Sequence, residues 1–259
     1  MRVALMGIYT LWLRDITRFL KDKPRIVSSA AQPLLWLFVL GMGISTAFMR
    51  GGNGSPEYLR FIYPGIISMS VLFTSIFSAV SIIWDREFGF LKEVLVAPIP
   101  RWSVAVGRAL GGSTVAVLQG AIILLFAPVV HVSFGVLQLL GAFLIMFIIA
   151  FSMTSFGILV AARMQTHEGF QVIMNFILLP MFFLSGAMFP VGKRLPIWMQ
   201  ALVRIDPLSY GVDALRQTLV GKNVLAGIGS FPIWLDLLII VCFGAVMLTI
   251  GAYYFEKTE

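Results

Sequence analysis

The chain has 259 residues, of which 59% are hydrophobic and 12% charged, with a mean hydropathy of +0.95 and a formal net charge of +7. Soluble domains carry roughly 25% charged residues, so a water-soluble globular fold is excluded and an all-α integral membrane protein is expected. At about 20 apolar residues per helical span, the length holds about six spans with short connections and no separate soluble domain.

Residues 1–25 read as an amphipathic helix. Leu5, Ile8, Tyr9, Trp12, Leu13, Ile16, Phe19 and Leu20 share one face, opposite Thr10, Arg14, Thr17, Arg18 and Lys21. No small-residue cleavage site follows Val3 to Leu13, so the segment is not read as a signal peptide. It is expected to lie in the inner interface, basic face toward headgroups, and to end at Pro24. Residues 26–259 then form the six-span unit.

The predicted spans are Ile26–Phe48, Phe61–Trp84, Val104–Pro128, Val136–Ala162, Phe170–Phe189 and Ile233–Phe255. With the N-terminus cytoplasmic, 12 of the 19 Lys and Arg residues fall inside, most densely around the first two spans. That bias predicts cytoplasmic termini in a multi-pass protein of the cell membrane. Basic edges of this kind meet anionic membrane lipids, so the charge calls for no nucleic acid.

In the second span Ser70, Thr74, Ser78 and Ser81 form one narrow stripe, with Ser68 and Ser75 apart from it. Hydroxyls cross lipid readily by bonding to their own helix carbonyls. The stripe is read in two ways, as helix-packing glue and as the lining of a substrate pathway. Below it, WDREFGFLKEVLVAPIPR from Trp84 to Arg101 is a charge-dense island between two apolar segments. Phe88, Leu91, Val94 and Leu95 recur at helical spacing, and Pro98 and Pro100 stop the helix. Asp85, Arg86, Glu87, Phe88, Phe90, Leu91, Lys92, Val94 and Leu95 are therefore taken as a contact surface for something outside the membrane.

Gly107, Gly111, Gly112 and Ser113 on the third span predict close helix contact. His131 and His167 fall in loops on opposite sides, so they cannot meet as metal ligands; no metal site and no catalytic group is expected. His167, with Glu168 and Arg163, is expected to face water or a partner. In the fifth span Pro180 frees a backbone carbonyl and should bend the helix. Asn175, Leu179, Phe182 and Phe183 lie around that bend, and rings beside it can close a pathway by dewetting.

After it, Pro196 opens a short amphipathic helix through Ile205, and Asp206 with Pro207 starts a second that Gly221 should end. Both external helices, about 196–220, are too short to span and are expected to be interfacial or re-entrant. In the sixth span Asp236 sits near the outer end. Cys242, the single cysteine, is expected to serve as core packing.

The interfacial N-terminal helix, the segment REFGFLKEVLVAPIPR, the run LSGAMFPV from Leu184 to Val191 and the run IDPLSYGVDALR from Ile205 to Arg216 occur in that order. In this the chain resembles the membrane subunits of type-2 ABC exporters, in the branch that includes daunorubicin-resistance and nodulation-factor export permeases. The resemblance covers almost the whole chain. It implies that Arg86 to Ala97 is a coupling helix seated on an ABC ATPase subunit, and that the second and fifth spans line the central cleft of a dimer.

The chain lacks a phosphate-binding loop of the form GxxxxGK[ST]. Its Gly-Lys pairs at 192–193 and 221–222 have Ala187 and Arg216 in place of the first glycine, and Arg194 and Asn223 in place of Ser or Thr. No cofactor is therefore expected in this chain; ATP and magnesium belong to the partner. A second copy or close homologue is expected to complete the pathway, and hydroxyls, one amide and aromatic residues suit an amphipathic or lipid-linked cargo: drug, polyketide, glycolipid or lipo-oligosaccharide. The rival reading, a secondary transporter or a channel-like protein without an ATPase, lacks the midplane ionisable groups that proton-driven transport requires.

Overall fold

A computed structural model describes residues 2–48, 55–87, 100–189, 196–221 and 231–257. They form α1 (Arg2–Lys21), α2 (Lys23–Phe48), α3 (Ser55–Ser78), α4 (Val80–Glu87), α5 (Arg101–Leu124), a 3-10 turn (Ala127–Val130), α6 (Val136–Arg163), α7 (His167–Leu184), α8 (Ile197–Ile205), α9 (Pro207–Leu219) and α10 (Ile233–Lys257). No strand occurs among the described residues. Five helical stretches are long and apolar enough to cross a membrane: Tyr58–Glu87, Arg101–Leu124, Val136–Arg163, His167–Leu184 and Ile233–Tyr254. α2 carries a shorter apolar stretch, Ile26–Val39, with Pro33 inside the helix.

The stretch Tyr58–Glu87 spans 30 residues, a rise of about 45 Å at 1.5 Å per residue. That exceeds the roughly 30 Å hydrocarbon core, so the stretch is longer than one perpendicular crossing needs. Ser78 Oγ donates to the Ser75 carbonyl (2.6 Å) and Ser81 Oγ to the Ser78 carbonyl (2.8 Å) at the α3–α4 break, the local competition by which hydroxyls bend helices. α3 runs through the centre: Ile62, Tyr63, Ile66, Ile67, Val71 and Leu72 are fully buried. At its far end Tyr63 donates to the carbonyls of Ile123 and Leu124 (3.1 and 3.0 Å), in the last turn of α5, where the i→i+4 pattern of the helix runs out.

Several boundaries differ from expectation. α1 ends at Lys21 and α2 starts at Lys23, so Pro24 begins a helix rather than ending one; proline tolerates the first turn, whose N–H groups have no helical acceptor. The fifth span stops at Leu184, and Ser185–Phe189 leave the helix through Gly186 at φ 73. The face of α1 that meets the bundle is set by Ala4, Leu11 and Phe19, while Leu5, Tyr9, Leu13 and Leu20 are exposed. Cys242 is also exposed, not core packing: the outer side of α10 must itself be apolar if it faces lipid, so hydrophobicity does not mark the interior.

Gly107 and Gly111 do make the close contact expected of them, and the partner is α1. A Cβ on Gly107 would lie 3.1 Å from Ile8 Cα, and one on Gly111 2.7 Å from Asp15 Oδ2. Asp206 caps α9 as expected, accepting from Leu208 N–H (2.9 Å) and Ser209 Oγ (3.2 Å), and Gly221 follows its end at φ 82.

Candidate functional site: two polar clusters and a membrane groove

At the end of the bundle that carries α1 and the last turns of α4 and α6, four charged side chains converge. Arg108 from α5 is 5% exposed; it donates to Asp15 of α1 (3.0 Å), to Ser81 (3.0 Å) and to Asp85 of α4. Arg14 reaches the same Asp85 at 3.0 Å. Burial raises the Asp15 carboxyl above its ordinary range, outweighing the opposing pull of Arg108, Arg14 and Arg18. The cluster is charge-balanced and ties α1, α4 and α5 together.

Next to it, Arg86 donates to the carbonyls of Met164 (2.7 Å) and Ala162 (3.2 Å) at the end of α6. Glu87 accepts from the His167 N–H (3.1 Å) at the start of α7. The His167 ring rests on Trp84 at 5.5 Å, with the Arg18 guanidinium 5.4 Å from the same indole. Asp85, Arg86 and Glu87 are thus gripped by α1, α5, α6 and α7. Phe88, Phe90, Leu91, Lys92, Val94 and Leu95 lie outside the described residues. Asp15 and Arg108 were not among the sequence candidates; an acid on a basic helix and an arginine within an apolar span are the signals that point to them.

The hydroxyl stripe faces the corner between α1, α2 and α3. Ser70 and Thr74 open onto a cavity of about 200 Å³ walled by Phe19, Gln32, Met69, Phe73 and Phe77. Ser70 is 3% exposed and its Oγ has no hydrogen-bond partner. Ser78 and Ser81 line a smaller cavity beside Asp15 and Arg18 that shares Phe19 and Phe77. On α7, Asn175, Leu179 and Phe183 are exposed along one side, whereas Phe182 is buried in its own chain. One chain does not bring the α3 stripe and the α7 residues together.

At the opposite end, the runs that begin at Leu184 and Ile205 interlock. Arg216 of α9, 3% exposed, donates to the Gly186 carbonyl (2.7 Å) and stacks on Phe61 (4.0 Å). Burial lowers the Arg216 pKa to about 10. Gly65 on α3 leaves room for the backbone of Ala187, which any Cβ there would overlap. α9 is buried along most of its length, while α8 exposes Ile197, Trp198, Leu202 and Ile205. Hydrophobic periodicity is similar in both helices; only packing separates them. Asp206, at the start of α9, is pushed up to about 7 by burial against its two hydrogen bonds.

Among the described residues, no group of three or more His, Cys, Asp or Glu side chains is placed to hold a metal. The arrangement contains buried polar anchors at both ends and a groove between, with helices that pass through a membrane. That is the layout of a multi-pass permease, and a model of the ABC-2 type transporter family matches residues 6–220. The chain belongs to that family and is a membrane permease subunit of an ABC transporter. It is 33% identical over 200 residues to a protein of Cyanophora paradoxa named as the transport permease ycf38, covering 76% of this chain and 69% of that one. It is 28% identical to nodulation protein J of Rhizobium leguminosarum bv. viciae over 89% of this chain and 93% of that protein. To the inner membrane transport permease YadH of Escherichia coli K12 it is 25% identical, over 98% and 94%. Permeases of this family generally work with an ABC ATPase subunit.

Proposed function

We propose that this chain is the membrane half of an ATP-driven exporter. A separate ABC ATPase holds ATP and magnesium and docks on the end that presents Asp85, Arg86 and Glu87, through the segment 86–97. That end and both termini face the cytoplasm, and α2 is the first of six spans, beside the five longer ones. Two copies, or one copy and a close homologue, enclose the route, and the hydroxyl-lined groove at Ser70 and Thr74 admits an amphipathic or lipid-linked cargo.

The observation that carries this reading is the grip on residues 85–87. A push on the segment that follows Glu87 reaches α6 through Arg86, α7 through Glu87, and α1 and α5 through Asp85. Docking at this point would therefore move four helices together, which is what coupling requires.

The test is copurification of the tagged chain with its ATPase, followed by ATPase stimulation and ATP-dependent uptake of a fluorescent amphiphile into inverted vesicles. Glu87→Arg should weaken assembly or stimulation, since charge reversal at a contact is repulsive. Thr74→Trp should block uptake while leaving the ATPase bound, because the indole fills the groove. Absence of any copurifying ATPase sinks the exporter reading. Normal uptake by Thr74→Trp places the groove off the route, and unchanged coupling in Glu87→Arg removes that residue from the contact.

A further inference from the structure

The outer cluster contains a buried carboxyl for which export offers no role. Asp236 stands in the first turn of α10 and is fully buried. Beside it, Gln217 Nε2 of α9 faces three acceptors: the Phe231 carbonyl (2.8 Å), Asp213 Oδ2 (3.2 Å) and Asp236 Oδ2 (3.3 Å). A primary amide nitrogen has two hydrogens, so Gln217 serves at most two of these three acceptors. Asp213 Oδ2 has a second donor in the Phe231 N–H (3.0 Å). Turning the amide over worsens the count, because its oxygen would then face all three acceptors.

Two buried atoms in the cluster have no hydrogen-bond partner, Asp236 Oδ1 and Gln217 Oε1. With Asp236 ionised, both are acceptors and neither can serve the other. They are also the two atoms that a carboxylic acid–amide ring joins. In that ring Nε2–H donates to Oδ2, and an acid O–H on Oδ1 donates back to Oε1. A single added proton turns two unsatisfied acceptors into a donor and an acceptor.

Among the described residues, no cation is placed to do this instead. The charged and titratable groups near the cluster, among the described residues, are Tyr210, Asp213 and Arg216 on α9, Asp206 at its start and Arg204 on α8. Arg216 is turned toward Gly186 and Phe61. The sole ionisable side chain of α6 is Arg163, whose guanidinium lies over Tyr254 at the other end. Burial raises the Asp213 carboxyl above its ordinary range. The N-terminus of α10 favours an anion, but with only about half a charge and over one turn, which is weak against desolvation of an unpaired carboxylate.

We propose that Asp213, Gln217 and Asp236 form a buried proton-binding site, with Asp236 held as a carboxylic acid ring-paired to Gln217. The bound proton fastens α10 to α9. Because α9 also carries the Arg216 grip on Gly186, losing the proton loosens this end of the bundle from α10 inward.

The experiment is infrared difference spectroscopy of the full chain in lipid nanodiscs, taken between mildly acidic and alkaline pH in light and heavy water. The expected result is a deuterium-sensitive carboxylic acid band at neutral pH that is lost in Asp236→Asn. Asn can rebuild the ring with its own amide, so this variant should fold, and the Asp206→Asn spectrum identifies the separate signal of that acid. Gln217→Leu should keep the band and shift it, since the acid survives without its ring partner. A neutral-pH spectrum unchanged by Asp236→Asn overturns the proposal, and an unshifted band in Gln217→Leu overturns the ring. Disappearance of the band on adding sodium or calcium chloride would make this a metal-cation site and would equally overturn it.

Discussion

The two ends of the bundle bury arginines by different means. Arg108 is matched by carboxylates: Asp15 and Asp85 take its charge, and Arg14 shares Asp85. Arg216 has backbone and a ring instead, the Gly186 carbonyl and the face of Phe61. The first arrangement stands or falls on charge balance among helices, because removing one member strands the others. The second is a local clamp whose partners are neutral. An ion cluster links several helices, as the coupling end in the proposed exporter would require, whereas the clamp suits a turn that must keep one shape.

The largest expected effect breaks the balance. Arg108→Leu leaves two carboxylates buried without their main partner, which typically costs about 3–5 kcal/mol, and should appear as a large fall in the thermal midpoint of the purified protein. Adding Asp15→Asn and Asp85→Asn to that variant should recover much of the loss. A single variant as stable as the parent would show that the cluster is not held by charge.

The clamp should respond less and differently. Arg216→Met removes the guanidinium from Phe61 and strands the Gly186 carbonyl, an effect of about 1–3 kcal/mol. Asp213→Asn should give no rescue, since no carboxylate was matched to Arg216 by a direct contact. Rescue would make the two ends alike.

The smallest effect concerns pH. Burial holds Asp206 at about 7, above its ordinary 3.8. The folded chain therefore binds this proton more tightly than the unfolded chain. The contribution is fully present below about pH 4 and is lost as pH rises toward about 7. Asp206→Asn keeps the helix cap, so it should change stability by less than about 1 kcal/mol at acid pH, and should be the more stable form above neutral pH. Parallel pH profiles of the two proteins would show that folding leaves the Asp206 proton affinity unchanged.

Local chemistry made much of the molecule legible in its sequence. Apolar runs of span length, the Asp206–Pro207 start of α9, the left-handed stop at Gly221 and the tight glycines of α5 depend on neighbours within a few residues, so they can be read along the chain. The amphipathic pattern also located α1, and the ordered runs pointed to the permease family. What the pattern could not supply is the partner of a polar side chain. Asp15 finds Arg108 across 93 residues and Arg216 finds Gly186 across 30, distances at which sequence spacing carries no geometric information. Nor could it say which apolar face turns inward. In lipid both sides of a helix such as α10 are apolar, so Cys242 faces out and Ile240 in for reasons of packing alone, and the same packing buries α9 while leaving α8 exposed.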